Sequence, residues 1–225
     1  MVSVIIAAGG KGTRMGADIN KVYLKALGKE ILVYTIEAFQ KNKNIDEIIV
    51  VTGKNDIDRC RELVKKYGLS KVASVIAGGS TRQKSVFNGI KASKGAIVAI
   101  HDGARPLISQ GEIDAVINDC CEYDAAAVGV SVKDTLKMVD ENGFIASTID
   151  RELVCSIRTP QVFKRNIIVA AHQKAIDEKF EATDDCGLVE FLGVKIKITT
   201  GSNDNIKVTT PEDIVVAEGI WRKNK

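Results

Sequence analysis

The sequence is poor in the residues from which metal centres and disulfide frameworks are built. Its 225 residues include two histidines, His101 and His172, which are too few for a histidine-based metal site. The cysteine count is odd, two cysteines are adjacent and no C-x-x-C occurs, which argues against disulfide pairing or a zinc site. We therefore expect reduced, mostly buried thiols, a buried and hydrogen-bonded His101, and a surface or packing role for His172. The cysteines are Cys60, Cys120, Cys121, Cys155 and Cys186.

Long apolar runs and a strong net charge are also missing. No run approaches the roughly 20 apolar residues of a membrane span. The N-terminus enters a strand at once, without the features of a signal peptide. The net charge of +3 is too small to indicate nucleic acid. We predict a cytoplasmic protein without membrane or nucleic-acid partners, organised as a single domain over residues 1–225.

Short apolar segments alternate with amphipathic segments along the first half of the chain. Strands are predicted at 2–7, 46–52, 72–77 and 96–100, and helices at 31–39, 55–67, 80–92 and 109–123. Capping boxes at Ser80–Gln83 and Ser109–Glu112 open the last two helices, and Gly68 caps the end of the second. Buried-type strands in this rhythm predict an α/β fold, a Rossmann-like, mostly parallel sheet flanked by helices.

The rhythm changes after residue 131. Residues 132–139 alternate in polarity, Asp140-Glu141-Asn142-Gly143 forms a turn signal, and residues 144–150 return. We predict a projecting β-arm at about 132–152, whose apolar edge is used for homodimerisation. Beyond the arm the sequence predicts helices near 164–177 and 184–192, a strand at 194–199, and a last helix that begins at Thr210-Pro211.

Glycines and cations are concentrated directly after the first strand. Gly9, Gly10 and Gly12 follow it, and Lys11, Arg14 and Lys21 are set among and after them. Glycines let the backbone approach a ligand closely, and successive N–H groups suit phosphate oxygens. Neither the dinucleotide fingerprint nor the P-loop matches, because the spacing of the glycines differs from both. The segment therefore predicts a phosphate loop of a third kind, suited to a nucleoside triphosphate.

Three further polar clusters fall at predicted strand ends or in the second half of the chain. They are the turn from Gly78 to Ser85, the pair Asp102 and Arg105, and the group Arg151, Thr159, Thr183 and Lys207. Each has a purely structural alternative, such as a helix cap, a turn aspartate or a solvated cation. Ligands of open α/β sheets bind beyond the carboxyl ends of the strands, so the joint placement favours one site.

Several motifs together resemble those of the 2-C-methyl-D-erythritol 4-phosphate cytidylyltransferases, and the resemblance extends from end to end. They are Ala8 to Met15, Lys21 with Tyr23-Leu24, Gly78-Gly79-x-x-Arg82-Gln83-x-Ser85-Val86, His101 to Pro106, Val132 to Thr135, Asp150-Arg151, Thr159-Pro160-Gln161, Thr183-Asp184-Asp185 and Asn205 to Asp213. The first motif alone marks only the wider nucleotidyltransferase superfamily.

The resemblance implies transfer of a cytidylyl group from CTP to 2-C-methyl-D-erythritol 4-phosphate, a polyol phosphate, with release of pyrophosphate. It implies Mg²⁺ or another divalent cation held mainly by the triphosphate, no assigned protein metal ligand, and a homodimer in which each arm reaches the neighbouring site. The implied roles are catalytic for Arg14, Lys21, Arg151 and Lys207, nucleotide binding for Ala7, Ala8, Gly9, Gly10, Gly78, Gly79 and Ser85, and contact with substrate or metal for Asp102, Arg105, Thr135, Thr159 and Thr183.

This chemistry agrees with the scarcity of histidine. The attacking group is already a phosphate oxyanion, so the protein needs positioned cations and no general base. Two alternatives stay open. Gly9-Gly10 is common in the related ribitol-5-phosphate cytidylyltransferases, although Arg82-Gln83 and Asp150-Arg151 favour the methylerythritol enzyme. A nucleotide-binding regulatory protein without turnover is the other, although the four implied catalytic cations are all present.

Overall fold

The computed structural model describes residues 1–10 and 20–223 of the chain. Within them the strands are β1 (Val2–Ala8), β2 (Lys25–Ala26), β3 (Lys29–Glu30), β4 (Glu47–Thr52), β5 (Val72–Ala77), β6 (Ile97–Asp102), β7 (Ala125–Ser131), β8 (Lys137–Val139), β9 (Ile145–Thr148), β10 (Cys155–Lys164) and β11 (Lys197–Thr200). The helices are α1 (Ile31–Lys41), α2 (Ile57–Lys66), α3 (Arg82–Ala92), α4 (Gln110–Tyr123), α5 (Arg165–Asp177), α6 (Asp185–Phe191) and α7 (Pro211–Lys223).

The central sheet has the strand order β11-β7-β10-β6-β1-β4-β5. All neighbouring pairs are parallel except the two that β10 makes, with β6 and with β7. The predicted mostly parallel α/β sheet is thus confirmed. Because β1 has β4 on one side and β6 on the other, the strand order reverses beside β1, and a crevice forms at the carboxyl ends of these strands.

Helices cover both faces of the sheet, as the continuous apolar strands require. Successive β1 side chains point to opposite faces: Val4 and Ile6 belong to a core cluster with Phe39 of α1, whereas Ile5 belongs to a cluster with Ile90 of α3. All five are almost fully buried. The sheet is therefore a rigid base from which the loops at its carboxyl edge project.

Most of the helix ends predicted from local sequence signals are present in the structure. Ser109 and Glu112 form the reciprocal capping box of α4, and Gly68 has a φ of +61° after α2. The cap of α3 is wrong by one residue: Thr81, not Ser80, accepts from the backbone N–H of Lys84. Strands β7 and β10 were not predicted from the sequence.

The predicted arm is present as the antiparallel hairpin β8–β9. Asp140 Oδ1 accepts from the backbone N–H groups of Asn142 and Phe144, and Gly143 takes a φ of +85°, which fixes the turn. The hairpin has its own two-stranded sheet and its residues are solvent-exposed. In residues 1–10 and 20–223, no helix combines the length and apolar character that a membrane crossing needs.

The histidines and cysteines take the expected structural places for the most part. His101 and His172 are fully buried, and His172 stacks on Phe87 with ring centroids 4.8 Å apart. Burial lowers the pKa of each imidazole to about 4, so both are neutral near pH 7. Of the five free thiols, Cys60, Cys120 and Cys186 are buried, Cys155 is half-buried and Cys121 is exposed.

Candidate active site

A cavity of about 400 Å³ lies where β1, β5 and β6 end. Its walls combine backbone from glycine-rich turns with a few charged side chains. The described lining residues are Ala7, Ala8, Gly9, Gly10, Asn20, Lys21, Val22, Val51, Gly79, Ser80, Thr81, Arg82, Ser85, Asp102, Ala104 and Lys207. The cavity therefore brings together the described ends of the loop after β1, the turn before α3 and the end of β6.

The turn between β5 and α3 forms one wall and is fixed by its own hydrogen bonds. The Ser85 hydroxyl donates to the Thr81 carbonyl (2.7 Å) and accepts from the Gly79 N–H (3.0 Å). A Cβ on Gly79 would lie 2.6 Å from the Lys84 Cβ, and one on Gly78 would lie 2.7 Å from the Ser85 Oγ. Both glycines are thus needed for the close packing of this turn against Lys84 and Ser85 at the start of α3.

Lys21 reaches the cavity from a short 3₁₀ turn, Lys21–Tyr23, whose position two bonds secure. The Asn20 side chain caps this turn and donates to the Ala8 carbonyl at 2.6 Å. The Tyr23 hydroxyl lies 2.9 Å from Thr52 Oγ1 at the end of β4. Lys21 is thereby tied to the ends of two strands. Arg14, the other cation predicted to hold the triphosphate, lies outside the described residues.

Three cationic side chains lie near the carboxylate of Asp102, the last residue of β6. Lys207 Nζ lies 2.7 Å from Oδ2, Arg105 Nε lies 3.8 Å from the same oxygen, and an Arg82 guanidinium nitrogen lies 3.8 Å from Oδ1. Burial alone would raise the pKa of Asp102, but Lys207 and Arg82 outweigh burial and the pKa is lowered. Asp102 is therefore ionised near neutral pH and holds its cations in place.

Buried polar groups fix Asp102 and Lys207 from behind. The Thr159 hydroxyl accepts from the Asp102 N–H (3.1 Å) and lies 3.0 Å from His101 Nδ1. His101 Nε2 lies 3.0 Å from the Arg105 carbonyl, and Val208 N–H donates to the Ala104 carbonyl at 2.8 Å. Thr159 thus supports the end of β6, and its predicted contact with substrate stays a prediction.

Two charged residues of the site were not among the predicted site residues. Arg82 lines the cavity, and a terminal nitrogen of its guanidinium lies 2.7 Å from Oδ2 of Asp185, which is fully buried at the start of α6. Burial raises the pKa of Asp185, which Arg82 opposes. Both residues lie inside motifs that carry the family resemblance, and that was the available signal. Asn20 was also missed.

Three predicted site residues are exposed and are not among the described residues that line this cavity. Thr135 and Arg151 are exposed at the base of the arm, where Arg151 donates to the Lys133 carbonyl at 2.8 Å. Thr183 is exposed just before α6. The described residues hold no group of three or more histidine, cysteine and carboxylate side chains placed to bind a metal ion.

A mostly parallel sheet with glycine-bounded backbone and converging cations at its switch point is typical of nucleotide-binding α/β proteins of the nucleotidyltransferase class. The chain belongs to the IspD family, 2-C-methyl-D-erythritol 4-phosphate cytidylyltransferase, whose family model matches residues 2–223. This membership confirms the resemblance and the activity predicted from the sequence, cytidylyl transfer from CTP to 2-C-methyl-D-erythritol 4-phosphate.

Individual relatives agree with the family model. Curated proteins named 2-C-methyl-D-erythritol 4-phosphate cytidylyltransferase are 49% identical in Caldanaerobacter subterraneus (99% of each chain covered) and 46% identical in Clostridium novyi (98% and 96% covered). A solved 4-diphosphocytidyl-2C-methyl-D-erythritol synthase from Anaerococcus prevotii superposes with a TM-score of 0.88 at 33% identity, covering 98% of this chain and 96% of that one. The Thermus thermophilus cytidylyltransferase gives 0.81 at 29% identity, with 98% of each chain covered.

Proposed function

We propose that the cavity holds CTP and the phosphate of 2-C-methyl-D-erythritol 4-phosphate side by side and joins them directly. An acceptor phosphate oxygen forms a bond to the α-phosphorus, and the bond from that phosphorus to the bridging oxygen of pyrophosphate breaks. The attacking oxygen is anionic, so no proton has to be moved. The observation that carries this proposal is the cluster of cations on Asp102 facing glycine-bounded backbone across one cavity.

We assign the roles from the positions of the described residues and, for Arg14, from the motif that it shares with the family. Backbone of Ala7–Gly10 and of the turn at Gly78 and Gly79, with Ser85, surrounds the cytosine and ribose. Lys21 and Arg14 hold the triphosphate and stabilise charge on the α-phosphorus. Lys207, oriented by Asp102, positions the acceptor phosphate, and Arg105 and Thr159 support Asp102. Thr183, outside the cavity wall, contacts the rest of the acceptor. Fixed cations in a partly desolvated cavity stabilise a polyanionic transition state more than water does.

A divalent cation fits this arrangement when the triphosphate supplies most of its ligands. Asp102 is the one carboxylate among the described residues of the cavity wall, and it is already paired with Lys207. Mg²⁺ is commonly bound through one or two carboxylates together with substrate phosphates. With Asp102 as its nearest protein ligand, the ion would neutralise charge on the phosphates.

We also propose a homodimer in which the partner's arm brings Arg151 and Thr135 to the cavity. The supporting observation is that the arm exposes four apolar side chains, each more than half accessible: Met138, Val139, Phe144 and Ile145. Exposed apolar residues concentrated on a hairpin indicate a partner surface.

One sheet spans residues 2–200, which supports a single domain. We place the enzyme in the cytoplasm, where CTP is available.

The direct test is pyrophosphate release from CTP and Mg²⁺ with either acceptor. We expect turnover with 2-C-methyl-D-erythritol 4-phosphate and little with ribitol 5-phosphate. Turnover only with ribitol 5-phosphate would assign the alternative acceptor. Tight binding of CTP without product from either acceptor would instead indicate a regulatory protein.

A further inference from the structure

Arg82 lies between two carboxylates and is bound closely by only one of them. Its guanidinium nitrogen is 2.7 Å from Asp185 Oδ2 and 3.8 Å from Asp102 Oδ1. Asp185 is buried to 1% of its side-chain accessibility. Neither of its oxygens makes an aligned hydrogen bond in the described part of the chain. The ion pair with Arg82 is therefore the principal compensation for this buried charge.

Asp102, in contrast, is paired closely with Lys207. The Lys207 ammonium lies 2.7 Å from Asp102 Oδ2 and is 41% exposed, so it is accessible to an anion in the cavity. A carboxylate between three cations is shared among them, and a closer approach by one weakens the hold on the others. The position of the Arg82 guanidinium between Asp185 and Asp102 thus determines whether Asp102 binds Lys207 or Arg82 more closely.

We propose that Asp185 is a positioning residue, which holds Arg82 back from Asp102 and so leaves Asp102 to orient Lys207 toward the acceptor phosphate. The proposal rests on the role of Lys207 proposed above. In this arrangement Asp185 contacts no substrate and acts through Arg82. Its loss frees a guanidinium that moves toward Asp102 and competes with Lys207.

A structural role for this carboxylate is a weaker explanation. The cap of α6 is supplied by Asp184, whose Oδ1 accepts from the Gly187 N–H, and not by Asp185. The Asp185 backbone N–H is satisfied by Gln161 Oε1 at 3.1 Å, whatever side chain stands at position 185. A buried ion pair is weak evidence for stability, because apolar replacements of such pairs are often neutral or stabilising.

The test is a double-mutant cycle with Asp185→Asn, Arg82→Gln and both together, with KM measured separately for each substrate. Asp185→Asn should raise the KM for 2-C-methyl-D-erythritol 4-phosphate by about tenfold, the usual scale for a weakened charged hydrogen bond, and change the KM for CTP by less than about twofold. Arg82→Gln should suppress the first effect, because the competing cation is gone. Asp124→Asn, on an exposed pair with Lys164, is the matched control and should change neither constant.

The cycle can fail in two ways. Additive effects, or equal rises in both KM values for Asp185→Asn, would overturn the proposal. If Asp185→Asn alone does not fold, the comparison of Arg82→Gln with the double variant decides: a further rise in acceptor KM of more than about threefold means that Asp185 acts without Arg82. Absence of turnover in the wild-type enzyme would instead contradict the proposed function.

Discussion

Single side chains determine how much positive charge the cavity offers to two anionic substrates. Lys207, Arg82 and Arg105 are held at or near one carboxylate, so their charges stay in place before any substrate binds. Preorganised charges do not have to be reoriented during the reaction, which is the main advantage of a protein site over water. The residue-scale predictions therefore concern charge.

Lys207→Ala should raise the KM for 2-C-methyl-D-erythritol 4-phosphate by about tenfold or more and affect the KM for CTP much less, because a charge-assisted contact to phosphate is lost. Steady-state kinetics with each substrate varied in turn measures the difference. Lys65→Ala, at an exposed position on α2, is the control. A larger change in the KM for CTP than in that for the acceptor would contradict the assignment.

Lys21→Ala and Arg14→Ala should each lower kcat on the order of 10²–10³-fold, as removal of one fixed donor to a developing charge typically does. The melting temperature should change less than the rate does, because we assign the charge of each side chain to the bound triphosphate. Single-turnover rates and thermal melts, measured on the same preparations, separate the two effects. Parallel losses of rate and stability would assign these residues a structural role.

Buried histidines make folding stability depend on pH. Burial lowers the pKa of His172 to about 4, below the 6.5 of an exposed imidazole, so the unfolded chain binds the proton more readily than the folded one. The contribution of each histidine to the free energy of unfolding should be fully present above the pKa of the unfolded chain. It should fall by about 2 kcal/mol per histidine as the pH drops from 7 to 5. Asp185 opposes this trend, since burial raises its pKa. Urea unfolding at pH 7, 6 and 5 measures the slope.

His172→Phe keeps a ring on Phe87 and removes the titration. The variant should therefore lose about half of the histidine-dependent slope, while His101 retains the rest. An unchanged slope in this variant would show that His172 is not desolvated in the folded protein.

At the scale of elements, the turn before α3 depends on glycine for space and not for a positive φ. Gly79→Ala would place a Cβ 2.6 Å from Lys84 Cβ, so the backbone that faces the cavity has to shift. We expect a rise of about tenfold or more in the KM for CTP, since a shift of about 1 Å in positioning groups is costly. Gly111→Ala in the first turn of α4, with nothing within 4 Å of its new Cβ, is the matched control and should be neutral or slightly stabilising. An equal KM for CTP in both variants would show that the turn does not contribute to the nucleotide site.

Elements with local signals could be predicted, and elements defined by distant partners could not. The buried strands β1, β4, β5 and β6 and the capping box of α4 follow from runs of neighbouring residues. Strand β10 contains Pro160 and a register irregularity between Ile157 and Gln161, so it lacks the continuous pattern of a central strand. Strand β7 begins with three alanines, which have weak strand preference, and its identity depends on pairing with β10 and β11.

For the whole molecule, the sequence could predict several residues that line the cavity but not how their side chains are connected. Gly78, Ser85, Asp102 and Lys207 were recognisable from motifs, whereas the sharing of Asp102 among cations depends on differences of about one ångström between side-chain distances. The position of Arg82 between two acids joins α3, β6 and α6, which no local pattern encodes. Residues of the arm pose a different problem, because their proposed partner is a second copy of the chain.

At the scale of the whole molecule, we expect that the active site is complete only in the proposed dimer. Within one chain Lys207 and Arg105 lie near Asp102, where we propose that the acceptor phosphate binds, while Arg151 lies exposed at the base of the arm. Replacing residues 136–148 by a short turn should therefore give a monomer whose kcat is lower on the order of 10²-fold, because one positioning cation no longer reaches the substrate. Sedimentation velocity measures the mass, and a melting curve checks that the sheet still folds.

A point variant separates assembly from loss of the arm. Phe144→Asp leaves the hairpin in place but puts a charge on its apolar surface, and we expect it to weaken the dimer and to lower activity in a concentration-dependent way, since mass action governs a weakened association. Lys137→Ala, on the same hairpin, is the control. If the truncated protein is monomeric and fully active, Arg151 acts within its own chain or not at all; if it is dimeric, another surface joins the subunits. Recovery of activity on mixing Phe144→Asp with a Lys207→Ala variant would show that each active site draws on both chains.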